Sequence, residues 1–295
     1  METPRTKEEP EQNELPFRPT NDAFFKKLFE LRPDLLPSLV AGILDVAPDS
    51  INDIKPINGL TKTPTEIAPE NMDAKFCRLD LSMMVNNQIV DIEVQVHHQA
   101  DYIERTLYYW AKMVAAQVPR GGRYAELHRT VVASILGFTL FPKWEGCCSR
   151  FLPLEATRHD LLSDKLDMHY YELPKVPRFR DGDGPRFQWL NFFAARTEKD
   201  IAILGSKGDW FMQDAVMEYN TLASNSDFAR EAEFWEDRRR NEASALGGAF
   251  DEGKTIGLAK GKEIGLAEGK TIRREMQAEI ERLNAEIQRL KKNHS

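Results

Sequence analysis

Two acidic residues thirteen positions apart, Asp80 and Glu93, are the first place where this chain of 295 residues can do chemistry. The segments that carry them, RLDLSMMV over 78–85 and QIVDIEVQVH over 88–97, alternate apolar and polar residues with the period of a β-strand. Between them, Asn86 and Asn87 tolerate the positive φ that a two-residue hairpin turn demands. With those two as the loop, Val85 pairs with Gln88, Ser82 with Asp91, Asp80 with Glu93 and Arg78 with Gln95. Directly opposed Cβ atoms lie roughly 4.5–5.5 Å apart, and like charges there are destabilising. At ~5 Å and an effective dielectric of ~20 the repulsion is on the order of 3 kcal/mol, more than an ordinary cross-strand pair contributes. A divalent cation between the carboxylates reverses the sign. Oxygen donors with positions left open for water and phosphate suit Mg²⁺ or Mn²⁺, and the chemistry served best is phosphodiester hydrolysis. The competing reading is a solvated polar face on an edge hairpin, with the acids spread by long rotamers or by a register slip.

The neighbouring elements are legible from periodicity. In TNDAFFKKLFE, from Thr20, a cap-type residue precedes Phe24, Phe25, Leu28 and Phe29 at helical spacing, with Asp22 in the first turn. A second helix spans 34–46, its stripe made by Leu36, Leu39, Val40, Ile43 and Leu44. Residues 51–57 alternate weakly as a strand, and 59–72 read as a loop. After the hairpin, Asp101 opens a helix to about Val118, with Glu104 in capping-box position. Its inward stripe is Ile103, Leu107, Trp110 and Val114, and its other flank carries Arg105, Tyr109 and Lys112. TVVASILGFTLF over 130–141 predicts a buried strand, and two further strands fall at 151–155 and 165–173. Residues 187–246 read as helices whose aromatics, Trp189, Phe192, Phe193, Trp210, Phe211 and Trp235, suit a core better than a base-stacking platform. Helix, strands, helix, strand is an α/β order.

Composition narrows the classes. With 41% apolar and 29% charged residues the chain is globular with a charged extension, which excludes collagen, mucin and wholly disordered classes. A formal charge of −7 excludes coating of nucleic acid by an overall positive field, so any nucleic-acid activity has to come from a local site. Cys77 and the adjacent Cys147 and Cys148 imply neither a disulfide framework nor a zinc ligand set, and reduced thiols are expected. No apolar run suits a membrane span or a signal peptide, so a cytoplasmic protein without membrane contact is expected. Residues 1–16, with five Glu and three Pro, read as a disordered tail. From Glu252 an eight-residue repeat, EGKTIGLA, KGKEIGLA, EGKTI, sets glycine at every fourth position and suggests a flexible tether over 251–271. Over 272–295 the series Met276, Ile280, Leu283, Ile287 and Leu290 steps by four, three, four and three, the heptad seam of a coiled coil, and predicts a homodimer. The expected organisation is an α/β domain over 17–176, a helical extension over 177–250, the tether and the coiled-coil helix.

Asp80 followed thirteen positions later by Glu93-Val94-Gln95 resembles the PD-(D/E)xK nuclease pattern, with Gln95 where lysine usually stands. More narrowly, TNDAFFKKLF, RLDLSMMV, IVDIEVQV, RTLYYWAKMVAAQ from Arg105 and DKLDMHYYELPK from Asp164 resemble the Rpn family of recombination-promoting nucleases, also described as transposases, over about residues 20–240. The resemblance implies a restriction-endonuclease-like core, Mg²⁺- or Mn²⁺-dependent cleavage of DNA, and a role in recombination or mobile-element transfer. By position it makes Asp80 and Glu93 the metal-binding carboxylates and gives Gln95 the third motif place. A neutral amide there orients by hydrogen bonds only, so Lys112 on the next helix is the candidate for the missing charge, and Asp22 for a further acid near the metal. His97 and His98, adjacent on a strand end, point to opposite faces and are weak ligand candidates. Arg105, Tyr109, Lys26 and Lys27 are candidates for phosphate contact or plain solvated residues. The alternative to an active nuclease is a nuclease-fold module, catalytically weak for want of the lysine, that acts as an oligomeric DNA-bound accessory through its C-terminal helix.

Overall fold

The computed structural model describes residues 14–57, 81–118 and 121–293, with side chains at all of these except 239–252, 288 and 290–293. Arg78 to Asp80, Cys77, the 59–72 segment, residues 1–13 and the side chain of Leu290 lie outside what is described. The chain divides into two units, one ending at Asp237 and one beginning at Arg238.

The first unit is built on a six-stranded mixed sheet in the order β1-β2-β3-β4-β6-β5. Its strands are β1 (Ile54–Pro56), β2 (Leu81–Val85), β3 (Gln88–Gln95), β4 (Thr130–Leu136), β5 (Cys148–Phe151) and β6 (Leu166–Glu172). The hairpin forms in the expected register, Val85 opposite Gln88 and Ser82 opposite Asp91, and both turn asparagines take positive φ. β3, β4 and β6 run parallel, and β1 and β5 close the edges antiparallel. β5 begins at Cys148 and ends at Phe151, earlier than the expected 151–155.

Side-chain alternation splits the sheet into two faces. One presents Val90, Ile92, Val94, Val131, Ala133 and Ile135 to α1 (Asp22–Leu31), α2 (Leu36–Leu44) and α4 (Pro185–Ala194). α5 (Glu198–Lys207) and α6 (Trp210–Ala223) join the same core through Ile201, Leu204, Phe211, Met212 and Tyr219. Helices expected as a separate extension beyond residue 176 therefore pack as part of the main body. α2 and α4 approach so closely that a Cβ on Gly42 would stand 2.8 Å from the Arg186 backbone nitrogen. Asn21 caps α1, its Oδ1 accepting from the backbone N–H groups of Ala23 and Phe24. Residues 14–16 are not a free tail: Glu14 bridges Thr197, and the Leu15 N–H donates to the Arg196 carbonyl.

The other face is covered by α3 (Tyr102–Gln117). Its inward residues are Tyr102, Thr106 and Met113, with Tyr109 and Trp110 partly buried, so the stripe is turned from the expected one. Ile103 and Leu107, expected inside, are exposed. Asp101 stands at the N-cap but makes no side-chain capping hydrogen bond.

α7 (Ser226–Asn293) starts in the first unit, where Ala232 is buried and its carbonyl accepts from Asn21 Nδ2. In the second unit the backbone stays helical through the glycine repeat, since each glycine retains the N–H and C=O of the helical ladder. Ile272, Met276, Ile280, Leu283 and Ile287 are all exposed on it. Among the described residues no helix is long and apolar enough to cross a membrane.

Candidate active site

β3 occupies an interior position in the sheet, between β2 and β4, and this decides the environment of its polar residues. Asp91, Glu93 and Gln95 share the α3 face, where an edge hairpin would leave them in water. They are instead 0%, 5% and 7% exposed. A solvated polar face is thereby excluded. Burying carboxylates is costly unless they are paired or hold a cation.

Asp91 accepts a hydrogen bond from Ser82 Oγ across the hairpin. Two residues on, Glu93 Oε2 stands 3.6 Å from Arg105 Nη2. The same nitrogen donates to Gln95 Oε1 at 3.1 Å, while Arg105 Nη1 donates to Gln99. Gln95 in turn donates from Nε2 to the His97 carbonyl at 2.9 Å, which fixes its amide with the oxygen toward the guanidinium. Arg105 is oriented by its own helix: the guanidinium lies 5.2 Å from the Tyr102 ring centre and 5.4 Å from that of Tyr109. Side chains three and four positions away share one helix surface, so Tyr102, Arg105 and Tyr109 meet as a stack.

Beneath that stack, Ser134 of β4 is directly opposite Glu93 in the parallel ladder. Burial raises the Tyr102 phenol well above its ordinary range; the nearby Ser134 hydroxyl opposes this, and the Glu93 carboxylate adds to it. Tyr102 is therefore a neutral hydroxyl beside the carboxylate. Tyr170 Oη and Thr106 Oγ1, 2.6 Å apart, close the floor, and burial raises the Tyr170 phenol too. At the strand end, the Gly137 N–H donates to the Gln95 carbonyl at 2.9 Å. A Cβ on Gly137 would lie 3.0 Å from Val96 Cα, so a larger residue there would press the chain just past β3 outward by a few tenths of an ångström.

The structure thus brings Glu93, Gln95 and Arg105 together. It does not bring Lys112 to them: that side chain is exposed with its ammonium 5.5 Å from the Tyr108 ring centre, about two helical turns beyond Arg105. Asp22 pairs with Lys26 at 3.1 Å within α1, and Lys27 pairs with Glu30. His98 packs edge-on against Phe138, and the His97 carbonyl, not its ring, takes part in the cluster. Asp80 lies outside the described residues. Tyr102 and Ser134 escaped sequence reading altogether; the signal for Tyr102 was its place three residues before Arg105.

A model of one protein family, described as PD-(D/E)XK nuclease family transposase, matches residues 19–243. The chain belongs to this family. The match spans the sheet, α3 and the helices packed behind the sheet, and the mixed α/β architecture is that of a PD-(D/E)XK restriction-endonuclease-like fold. Membership makes the protein nuclease- and transposase-like. No curated protein and no solved structure matches the chain. PD-(D/E)XK nucleases generally use divalent metals. Among the described residues no group of three or more His, Cys, Asp or Glu side chains is placed to hold a metal ion. The donor chemistry nonetheless fits a hard cation, because the buried Glu93 carboxylate offers hard oxygen donors on an interior strand.

Proposed function

We propose that the protein is a Mg²⁺- or Mn²⁺-dependent DNA endonuclease serving recombination or mobile-element transfer. The observation that carries this reading is the buried Glu93 carboxylate on an interior strand of a nuclease fold, beside an oriented amide and a guanidinium. The sequence pattern pairs Asp80 with Glu93 across the hairpin, and these two carboxylates would hold the metal. When bound, the ion supplies a more acidic water and neutralises charge on the phosphate. Arg105, in place of Lys112, supplies the fixed positive charge that a neutral Gln95 lacks, and it stabilises charge developing on the phosphate oxygens. Gln95 holds the guanidinium in place. Tyr102 and Tyr109 keep it stacked and limit its access to water.

A weak, DNA-bound accessory remains the second reading, favoured by the Arg105–Glu93 ion pair, which gives the carboxylate a counter-charge without any metal. A plasmid-nicking assay with Mg²⁺, Mn²⁺ or EDTA separates the two. Metal-dependent nicking abolished by Glu93→Gln supports the nuclease; tight DNA binding with no nicking under any metal supports the accessory.

The C-terminal helix is proposed to pair with a second copy. In its heptads the a positions are Ile280 and Ile287 and the d positions Met276, Leu283 and Leu290, the pattern that favours two parallel strands. An antiparallel pair would set Glu279 and Glu286 of the g positions against like charges. Light scattering on the full chain and on one ending at Ala249 tests this: equal oligomeric states overturn it.

A further inference from the structure

Cys147 and Cys148 take no part in the cluster around Glu93. Successive side chains on a regular strand point to opposite faces, yet these two sulfurs lie 3.5 Å apart. A bend at Cys147, immediately before β5 begins, turns both to one side. Cys147 is buried and Cys148 half-buried. Their backbone is anchored, the Cys147 carbonyl accepting from the Glu172 N–H at 2.8 Å and Cys148 standing opposite Tyr171. The Arg186 guanidinium, paired with Asp45 at 3.0 Å, adds positive charge near both thiols.

We propose that Cys147 and Cys148 are a vicinal dithiol that a peroxide oxidises to a disulfide between adjacent residues. The Cys147 thiolate attacks one peroxide oxygen. The O–O bond breaks, the departing hydroxide takes up a proton to become water, and Cys147 is left as a sulfenic acid. The Cys148 sulfur, losing its proton, then attacks the Cys147 sulfur, and the S–O bond breaks with release of a second water. Two thiols are oxidised and one peroxide is reduced. The roles follow from the contact between the sulfurs: the hydrogen bond from Cys148 lowers the Cys147 thiol to about 7, whereas the Cys148 thiol is pushed up. Closure of so small a ring strains the link, which makes it readily reduced again. Its structural effect falls on the β5–β6 edge, where the same two residues meet Tyr171 and Glu172.

The test uses the full chain, as wild type and with Cys77→Ser to remove the third thiol. After dilute peroxide, the wild type should fall from three free thiols to one, and the Cys77→Ser chain should lose both of its thiols together. Intact mass should drop by two hydrogens with no increase in covalent chain number, peptide mapping should place the link within 147–148, and dithiothreitol should restore both thiols. Adding Cys147→Ser should slow the oxidation far more than adding Cys148→Ser, which should stop at the sulfenic acid. Mass gains of oxygen at both cysteines, a disulfide between chains, or thiols that survive peroxide consuming them in the urea-unfolded chain would each overturn the proposal.

Discussion

Two buried carboxylates, Asp167 on β6 and Glu93 on β3, sit on opposite faces of the same sheet and are held differently. Asp167 is saturated at hydrogen-bond range: Arg150 donates from Nε at 2.9 Å and Nη2 at 2.8 Å, Arg129 donates to the same group, and His169 Nε2 is 2.9 Å away. Burial by itself raises a carboxyl, but these partners outweigh it and hold Asp167 well below the usual carboxylate range. Glu93 meets its cation at 3.6 Å, and that cation spends its hydrogen bonds on Gln95 and Gln99. A carboxylate that only stabilises a fold is gripped by charges with no other task. Under the proposed nuclease function, Glu93 shares its more distant counter-charge with a ligand.

Substitution should separate the two sites sharply. Glu93→Gln preserves shape and removes charge; we expect metal-dependent nicking to fall by about 10³-fold or more, with a melting temperature within a few degrees of wild type. Collapse of the fold instead would make Glu93 another Asp167. Asp167→Asn should do the reverse, costing about 3 kcal/mol of stability by leaving its cations uncompensated while the chain that remains folded still nicks DNA. Denaturant unfolding monitored by circular dichroism reads that loss.

The same contrast has a pH signature. The folded Asp167 carboxyl ionises below its unfolded value of about 3.9, so its contribution to stability is fully present above that value. As pH falls toward the folded value, the contribution is lost. The stability gap between wild type and Asp167→Asn should therefore hold steady at neutral pH and narrow below about pH 4. A gap that stays constant into acid would show that shape, rather than charge, sets the cost.

How much of this was legible in the sequence follows from which signals compete. The hairpin was readable because an Asn-Asn turn and strict alternation agree, and its register is as expected. Burial of the Glu93 face was not, because alternation marks that face as polar whether water or a helix covers it. The same ambiguity misled the reading of α3. Hydrophobic periodicity selects Ile103 and Leu107 as inward, but a helix lying over Glu93, Gln95 and Ser134 needs residues with apolar bodies and polar tips. Tyr102, Thr106 and Tyr109 meet that need, and Arg105 comes in with them. Glycine spacing suggested an interrupted C-terminal helix, whereas the backbone ladder runs through it.

The finest distinction concerns which cation serves Glu93. Arg105 and Lys112 lie on the same helix, and chemistry alone favours lysine as the substitute for a missing lysine. Position favours arginine: Arg105 reaches both Glu93 and Gln95, while Lys112 rests over Tyr108 and is exposed. Arg105→Ala should lower nicking by about 10²-fold, and Arg105→Lys should recover part of it, because charge returns without the fork that Gln95 and Gln99 engage. Lys112→Ala should leave both nicking and stability within about twofold of wild type, as expected of a surface substitution. Side-by-side rates at saturating Mn²⁺ decide the matter. If Lys112→Ala loses as much as Arg105→Ala, the guanidinium beside Glu93 is a structural counter-ion, and the catalytic charge reaches the phosphate from farther along α3.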